Sequence, residues 1–373
     1  MRRWLSAVLF LLSVLAPLPG VARPVGEALL ATGQALVERE IGSLIIVGFA
    51  GTRPGDAGVE IAAMNLRAGR IGGVIFFDEN VVSRSQVKTL VAYFRTAARA
   101  GGSLPLIALD EEGGAVQRLT AAKGFASEPS AARMAKTRTP DEAFLIYSAM
   151  AQELAALGFN LNLGPVVDLD LNHKNTIISR VRRSYGASPD TVEAYAEAFI
   201  AAHRRAGVLT AIKHWPGHGS ALGDTHKTVV DITATFDAAE KEPFERLSAG
   251  GYADIIMIGH LASATFDGER ALPASLSPAA NAVLRREARY NGVTMTDDLS
   301  MAAVVKVMNP AMAAVAAIRA GNDLVLFGDP TLMRSDPGSE IFHALQRQST
   351  LPLMAQRLRE AHDRVTALKL QLK

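Results

Sequence analysis

The chain has 373 residues, with 39 lysines and arginines against 37 aspartates and glutamates, a formal net charge of +2. So small an excess excludes nucleic-acid or anionic-membrane binding driven by a basic face. The absence of cysteine excludes a disulfide framework and thiolate chemistry, so stability must come from a large hydrophobic core.

In chain order the first element is a leader. Met1-Arg2-Arg3 is basic, Trp4 to Ala16 is almost wholly apolar, and Gly20-Val21-Ala22 offers small residues for cleavage, so residues 1–22 read as a secretory signal. An uncleaved anchor is the alternative, although the apolar run is shorter than the roughly 20 residues that a spanning helix needs. No later segment is long and apolar enough to cross a membrane. The mature chain, residues 23–373, is therefore expected to be a soluble monomer, periplasmic or secreted. Removing Arg2 and Arg3 leaves it 37 basic against 37 acidic residues.

Eight short apolar runs follow: 43–50 (SLIIVGFA), 72–77 (GGVIFF), 104–110 (LPLIALD), 159–170 (FNLNLGPVVDLD), 209–215 (LTAIKHW), 253–260 (ADIIMIGH), 292–298 (GVTMTDD) and 322–329 (NDLVLFGD). Most are continuously apolar, the pattern of parallel strands buried on both faces. Amphipathic segments separate them. Residues 188–207 (SPDTVEAYAEAFIAAHRRAG) read as a helix with Ser188 as N-cap, Pro189 at the first helical position and Arg204, Arg205 and Gly207 at its finish, and Ser83 to Ala100 reads similarly. Eight strand–helix units over about 300 residues predict an α/β (β/α)₈ TIM barrel, with a doubly wound open sheet as the runner-up. Residues 264–278 read as a loop between strand 6 and its helix. With no linker or shift in composition, residues 23–373 form one domain.

Function in a barrel sits at the C-terminal ends of the strands, and polar residues gather there. Strand 3 ends in Asp110-Glu111-Glu112-Gly113-Gly114, strand 4 in Asp168 and Asp170, strand 5 in Lys213-His214, strand 6 in His260 and strand 7 in Asp297-Asp298. Structural readings stand beside the catalytic ones: the Asp-Asp pair could cap the next helix, and Lys213 and His214 could pair with Asp110 or Asp168. After strand 5 comes KHWPGHGSALGDTH, residues 213–226, with three histidines, three glycines and an aspartate. Glycine at this density suits a functional loop. The loop's His214, His218, Asp224 and His226 also allow a metal reading, which the lack of a helical His-x-x-x-His pair weakens.

The motifs DEEGGAVQRL (110–119), GFNLNLGPVVDLD (158–170), RSYG (183–186), KHWPGHG with DTH (213–226), PASLS (273–277) and TDDLSM (296–301) together resemble the ordered motifs of family 3 glycoside hydrolases. The similarity is to the single-domain β-N-acetylglucosaminidases of peptidoglycan turnover, over about residues 40 to 330. What the resemblance implies is a retaining hydrolase of a GlcNAc-containing saccharide, with no metal or organic cofactor. It makes Asp297 the nucleophile, His226 the general acid/base and Asp224 its partner. It gives sugar contacts to Asp110, Arg118, Arg183, Lys213 and His214, with Arg180 or Arg182 as competitors for Arg183.

The implied roles make physical sense. One carboxylate must attack the anomeric carbon, and a second group must protonate the departing oxygen and then deprotonate water. A histidine, with an ordinary pKa of about 6.5, reaches both protonation states near neutrality. The loop glycines are expected to let the acid/base swing into the site. Ser220 stands where the family often has an acidic residue, and a Leu-Pro pair usual after the loop is replaced by KTVVDI, which leaves fine specificity open. The rival readings are a β-glucosidase or β-xylosidase, a phosphorylase that passes the sugar to phosphate, and a non-catalytic muropeptide-binding protein.

Overall fold

The structure is a computed structural model that describes residues 38–269, 271–331 and 336–372. The expected signal over 1–22 lies outside the described residues. Eight parallel strands close a barrel: β1 (Ile45–Val47), β2 (Gly73–Phe76), β3 (Leu106–Leu109), β4 (Leu161–Asn162), β5 (Leu209–Trp215), β6 (Ile255–Ile258), β7 (Val293–Asp298) and β8 (Leu324–Phe327). Each pairs with its sequence neighbours, and β1 pairs with β8, in register from Ile45 opposite Val325 to Val47 opposite Phe327. The closed barrel replaces the open-sheet alternative.

Every expected apolar run contains its strand, because a strand covered by helices outside and by packed side chains inside has no polar face. Residues 159–170 contribute the shortest ladder. Pro165 lacks an N–H, so regular pairing stops at Asn162. The chain nevertheless stays beside β5, with Val167 N donating to Lys213 O at 2.9 Å.

The outer helices are α1 (Ala57–Ala68), α2 (Arg84–Ala100), α3 (Pro140–Leu157), α4 (Pro189–Arg205), α5 (Glu242–Ala249), α6 (Pro278–Glu287), α7 (Pro310–Ala320) and α8 (Pro337–Gln348), with α9 (Pro352–Lys369) following. Ser83 caps α2 by accepting from Gln86 N. Ser188 caps α4 through its backbone alone. Its carbonyl accepts from Val192 N, whereas its side chain makes no capping bond. The segment expected as a plain loop over 264–278 holds a helical turn, Ala264–Asp267, and a 3₁₀ turn, Ala274–Leu276.

The core is built from interlocked rings and branched aliphatics. Phe49, Phe76, Phe94 and Phe159 meet edge to face at 4.8–5.1 Å for the three closest pairs, and Trp215 meets Phe244 at 5.5 Å. At the N-terminal face, the buried Asp323 is held by Arg285 at 2.8 Å, Arg364 at 3.0 Å and Arg357. Such a network at the bottom of a barrel serves stability and leaves the other face for chemistry.

Candidate active site

A cavity of about 340 Å³ opens at the C-terminal ends of the strands. One wall is an ion network. Asp110, the residue after β3, takes Lys213 Nζ at 2.8 Å on one oxygen and Arg118 Nη2 at 3.0 Å on the other. Arg118 returns to Asp110 because Glu111–Gly113 and Val116–Gln117 form a short antiparallel hairpin. Glu112 accepts both Nε and Nη2 of Arg183 at 2.8 Å and contacts Lys213 Nζ at 2.6 Å. Burial works to raise both carboxyl pKa values, but the facing cations outweigh it. Asp110 is held well below its ordinary value by Lys213 and Arg118, and Glu112 is held at about 2 by Arg183 and Lys213. Three cations against two carboxylates leave this wall of the cavity rich in hydrogen-bond donors.

The next wall is β5. Lys213–His214 is a cis peptide, as is Trp215–Pro216. His214 Nδ1 lies 2.7 Å from Asp168 Oδ2, so it carries the proton and donates to the carboxylate. The other Asp168 oxygen accepts the His214 and His218 amides at 3.1 and 2.8 Å. The structural pairings considered for Lys213 and His214 are thus present, and both residues line the cavity as well.

The floor separates the two adjacent aspartates. Asp298 Oδ1 accepts Ser300 N and Gly328 N, both at 2.8 Å, and the Ser300 hydroxyl, so it is committed to the backbone. Asp297 accepts only Asp298 N, at 2.8 Å, among the described residues. Burial raises the Asp298 pKa. For Asp297, burial is outweighed by His214, His260 and the Asp298 amide, and the pKa falls. Asp297 is therefore the ionised carboxylate with uncommitted oxygen at the cavity. His260 bridges the same floor, with Nε2 2.8 Å from Asp298 O and Nδ1 2.7 Å from Ser275 Oγ.

Over the rim stands the loop after β5. Asp224 Oδ1 accepts His226 N at 2.9 Å and lies 3.0 Å from His226 Nδ1; the His226 side chain is 60 % exposed. Two of the loop's glycines are required by packing. Gly217 has φ +128°, and a Cβ there would stand 2.4 Å from Glu240 Cβ; one on Gly219 would stand 1.8 Å from Leu169 O. They allow close packing of a buried root, residues 213–221, and exposure starts at Leu222.

Asp110, Arg118, Arg183, Lys213, His214, His226 and Asp297 all line one cavity, with Asp224 behind His226. Arg180 and Arg182 are exposed, whereas Arg183 faces the cavity. Sequence reasoning offered Asp168 as a partner for His214, as found, but gave Glu112 no role beyond its place at a strand end and read His218 only as a possible metal ligand. Glu112 hid inside an acidic run, and His218 inside a histidine-rich loop.

Glu111 offers a stability test. It accepts Arg118 N at 2.8 Å and Leu119 N at 3.0 Å, yet burial pushes it up to about 7. A folded pKa above the unfolded value gives a contribution present below about 4.5 and lost as pH rises through 7. Glu111→Gln keeps the acceptor, so its stability relative to wild type is expected to improve by on the order of 3 kcal/mol between pH 4.5 and 8. Urea unfolding at the two pH values measures this, and a flat difference would refute it.

Comparison with known proteins adds the family. Residues 36–368 match the glycosyl hydrolase family 3 N-terminal domain. Beta-hexosaminidase A of Pseudoalteromonas piscicida is 31 % identical over 324 residues; the match covers 81 % of this chain and 54 % of that protein. Beta-hexosaminidase of Stenotrophomonas maltophilia is 33 % identical over 308 residues, covering 79 % of this chain and 87 % of that one. The crystal structure of beta-N-acetylhexosaminidase from Beutenbergia cavernae superposes with a TM-score of 0.80 at 29 % identity, covering 89 % of this chain and 98 % of that one. Matched along nearly the whole described barrel, with the family's motifs gathered around one cavity, the chain belongs to the glycosyl hydrolases of family 3.

Proposed function

We propose that the protein is a retaining exo-β-N-acetylglucosaminidase that removes terminal GlcNAc from peptidoglycan fragments or related oligosaccharides through a glycosyl-Asp297 intermediate. Asp297 attacks the anomeric carbon while His226 protonates the departing oxygen; His226 then takes a proton from the water that releases the sugar. Asp224 orients the imidazole through its 3.0 Å contact with Nδ1. Asp110, Arg118, Arg183, Lys213 and His214 hold the sugar. The observation that carries the reading is the low-pKa Asp297 carboxylate in a small cavity with the Asp224–His226 pair at its rim. Preference for GlcNAc is supported by the beta-hexosaminidase names of the relatives.

The test is hydrolysis of 4-nitrophenyl β-GlcNAc beside the β-glucoside, with and without phosphate. Free GlcNAc from the first substrate alone is expected. Release from the glucoside would favour the β-glucosidase reading, GlcNAc-1-phosphate a phosphorylase, and sugar binding without turnover a muropeptide-binding protein. We also infer export from the leader over 1–22. Mass spectrometry of the N-terminus after expression in a bacterial host is expected to find cleavage after Ala22, and an intact Met1 on the exported protein would sink cleavage.

Glu112 is the hidden support of the sugar-binding wall. Glu112→Gln removes the charge that fixes Arg183 and Lys213, so KM is expected to rise on the order of 10-fold with a smaller change in kcat. Steady-state kinetics on the GlcNAc substrate measures the split. Unchanged KM would mean that Arg183 and Lys213 do not need Glu112 to bind sugar.

A further inference from the structure

The acid/base loop stands on a carboxylate that none of the chemistry above uses. Glu240, in the single 3₁₀ turn Ala238–Lys241 before α5, is completely buried. Its Oε2 accepts Gly219 N at 2.6 Å, and both its oxygens lie 3.3 Å from Ser220 N. The preceding His214 and His218 amides are taken by Asp168. Two buried carboxylates, one from the β4 side and one from the α5 side, therefore hold the root of the loop by its backbone. Beyond Trp215 that backbone has left the β5 ladder, and its N–H groups need acceptors.

Packing closes the clamp from the other direction. The close approach of Gly217 to Glu240 leaves no space for a Cβ, and Gly219 is pressed on Leu169. Leu222, two residues beyond the clamped Ser220, is 71 % exposed, and Asp224 and His226 follow it. The loop thus first reaches solvent just after the Glu240 contacts, and Thr225, between Asp224 and His226, turns back into the core, where its carbonyl accepts Ala303 N at 3.2 Å. Burial raises the Glu240 pKa to about 7, and either protonation state can accept the two amides.

We propose that Glu240 is a positioning residue for the acid/base: by holding the Gly219 and Ser220 amides it fixes where the exposed segment departs and so places the Asp224–His226 pair over Asp297. The proposal rests on the reading of His226 as acid/base, and the experiment separates the two. Glu240→Asp withdraws the carboxylate by one methylene, about 1.5 Å. A displaced acid should slow glycosides with poor leaving groups, which need protonation, and spare those whose leaving group departs as an anion. For Glu240→Asp, kcat/KM for methyl β-GlcNAc is expected to fall at least about 10-fold, and for 2,4-dinitrophenyl β-GlcNAc less than about 3-fold. Glu240→Gln, which keeps an acceptor, is expected to restore both substrates to within about 3-fold of wild type.

Equal losses on the two substrates, or no loss on either, would overturn the positioning role, since a merely structural defect does not depend on the leaving group. His226→Ala is run alongside. If its losses are also independent of the leaving group, the acid/base reading itself fails; if they are selective and those of Glu240→Asp are not, only the Glu240 proposal fails. Hydrogen exchange on the wild-type protein needs no variant to fold. Protection of the Gly219 and Ser220 amides well above those of residues 222–227 is expected, and equal exchange would overturn the clamp.

Discussion

Asp297→Ala is expected to lower kcat on 4-nitrophenyl β-GlcNAc by on the order of 10⁴-fold or more, with the fold intact. The magnitude follows from the role: without a carboxylate no covalent intermediate forms, and the cavity retains only binding and orientation. The geometry explains why the neighbouring carboxylate cannot take over. Asp298 Oδ1 is filled by Ser300 N and Gly328 N at 2.8 Å, and Gly328 packs so closely that a Cβ there would stand 2.4 Å from Asp298 Oδ2. Asp298→Ala is accordingly expected to act on stability, because it strips acceptors from buried backbone amides. Azide separates the two roles. In the Asp297→Ala cavity a small anion can occupy the vacated space, so azide is expected to raise turnover and to give the α-glycosyl azide. Near-wild-type turnover in Asp297→Ala would remove the nucleophile assignment.

The barrel was legible because its signal is repeated. Eight apolar runs separated by helix-length segments leave few topologies, and a strand buried on both faces has to be continuously apolar. Irregular pieces were less legible. The run over 159–170 promised a long strand, but Pro165 cuts the ladder after Asn162 while the chain keeps its course to Asp168. Ser188 carried the residue type of a side-chain cap without making the bond. In the site, the residues at strand ends were readable, and so was Asp168 as a partner for His214, whereas the Glu112–Arg183 pair, 71 positions apart, left no local signal. The loop glycines show the limit best. Composition suggests mobility, but the surroundings of Gly217 and Gly219 show that they are needed for contact, which no local pattern reports.

His226→Ala is expected to lose on the order of 10² to 10⁴ in kcat/KM on methyl β-GlcNAc, and far less on 2,4-dinitrophenyl β-GlcNAc. The asymmetry arises because kcat/KM reports the step in which the sugar is transferred to Asp297, and only a poor leaving group needs a proton there. The second step distinguishes the roles further. Water attacking the glycosyl-Asp297 bond needs a base whatever the first leaving group was, so kcat should fall for the dinitrophenyl substrate even though kcat/KM is spared. A burst of dinitrophenol equal to the enzyme concentration, followed by slow turnover, is the expected trace. Asp224→Asn keeps the shape of the pair and removes its charge, and a smaller effect of the same kind is expected because the ring keeps a neighbour in place but loses the carboxylate that fixes its tautomer and orientation. His226 is 60 % exposed, so the pair works at a wet rim, and the orientation of the ring depends on the 3.0 Å contact with Asp224. A burst in His226→Ala that is absent in wild type would tie this exposed histidine to both proton transfers; equal losses on the two substrates would place the acid/base elsewhere in the cavity.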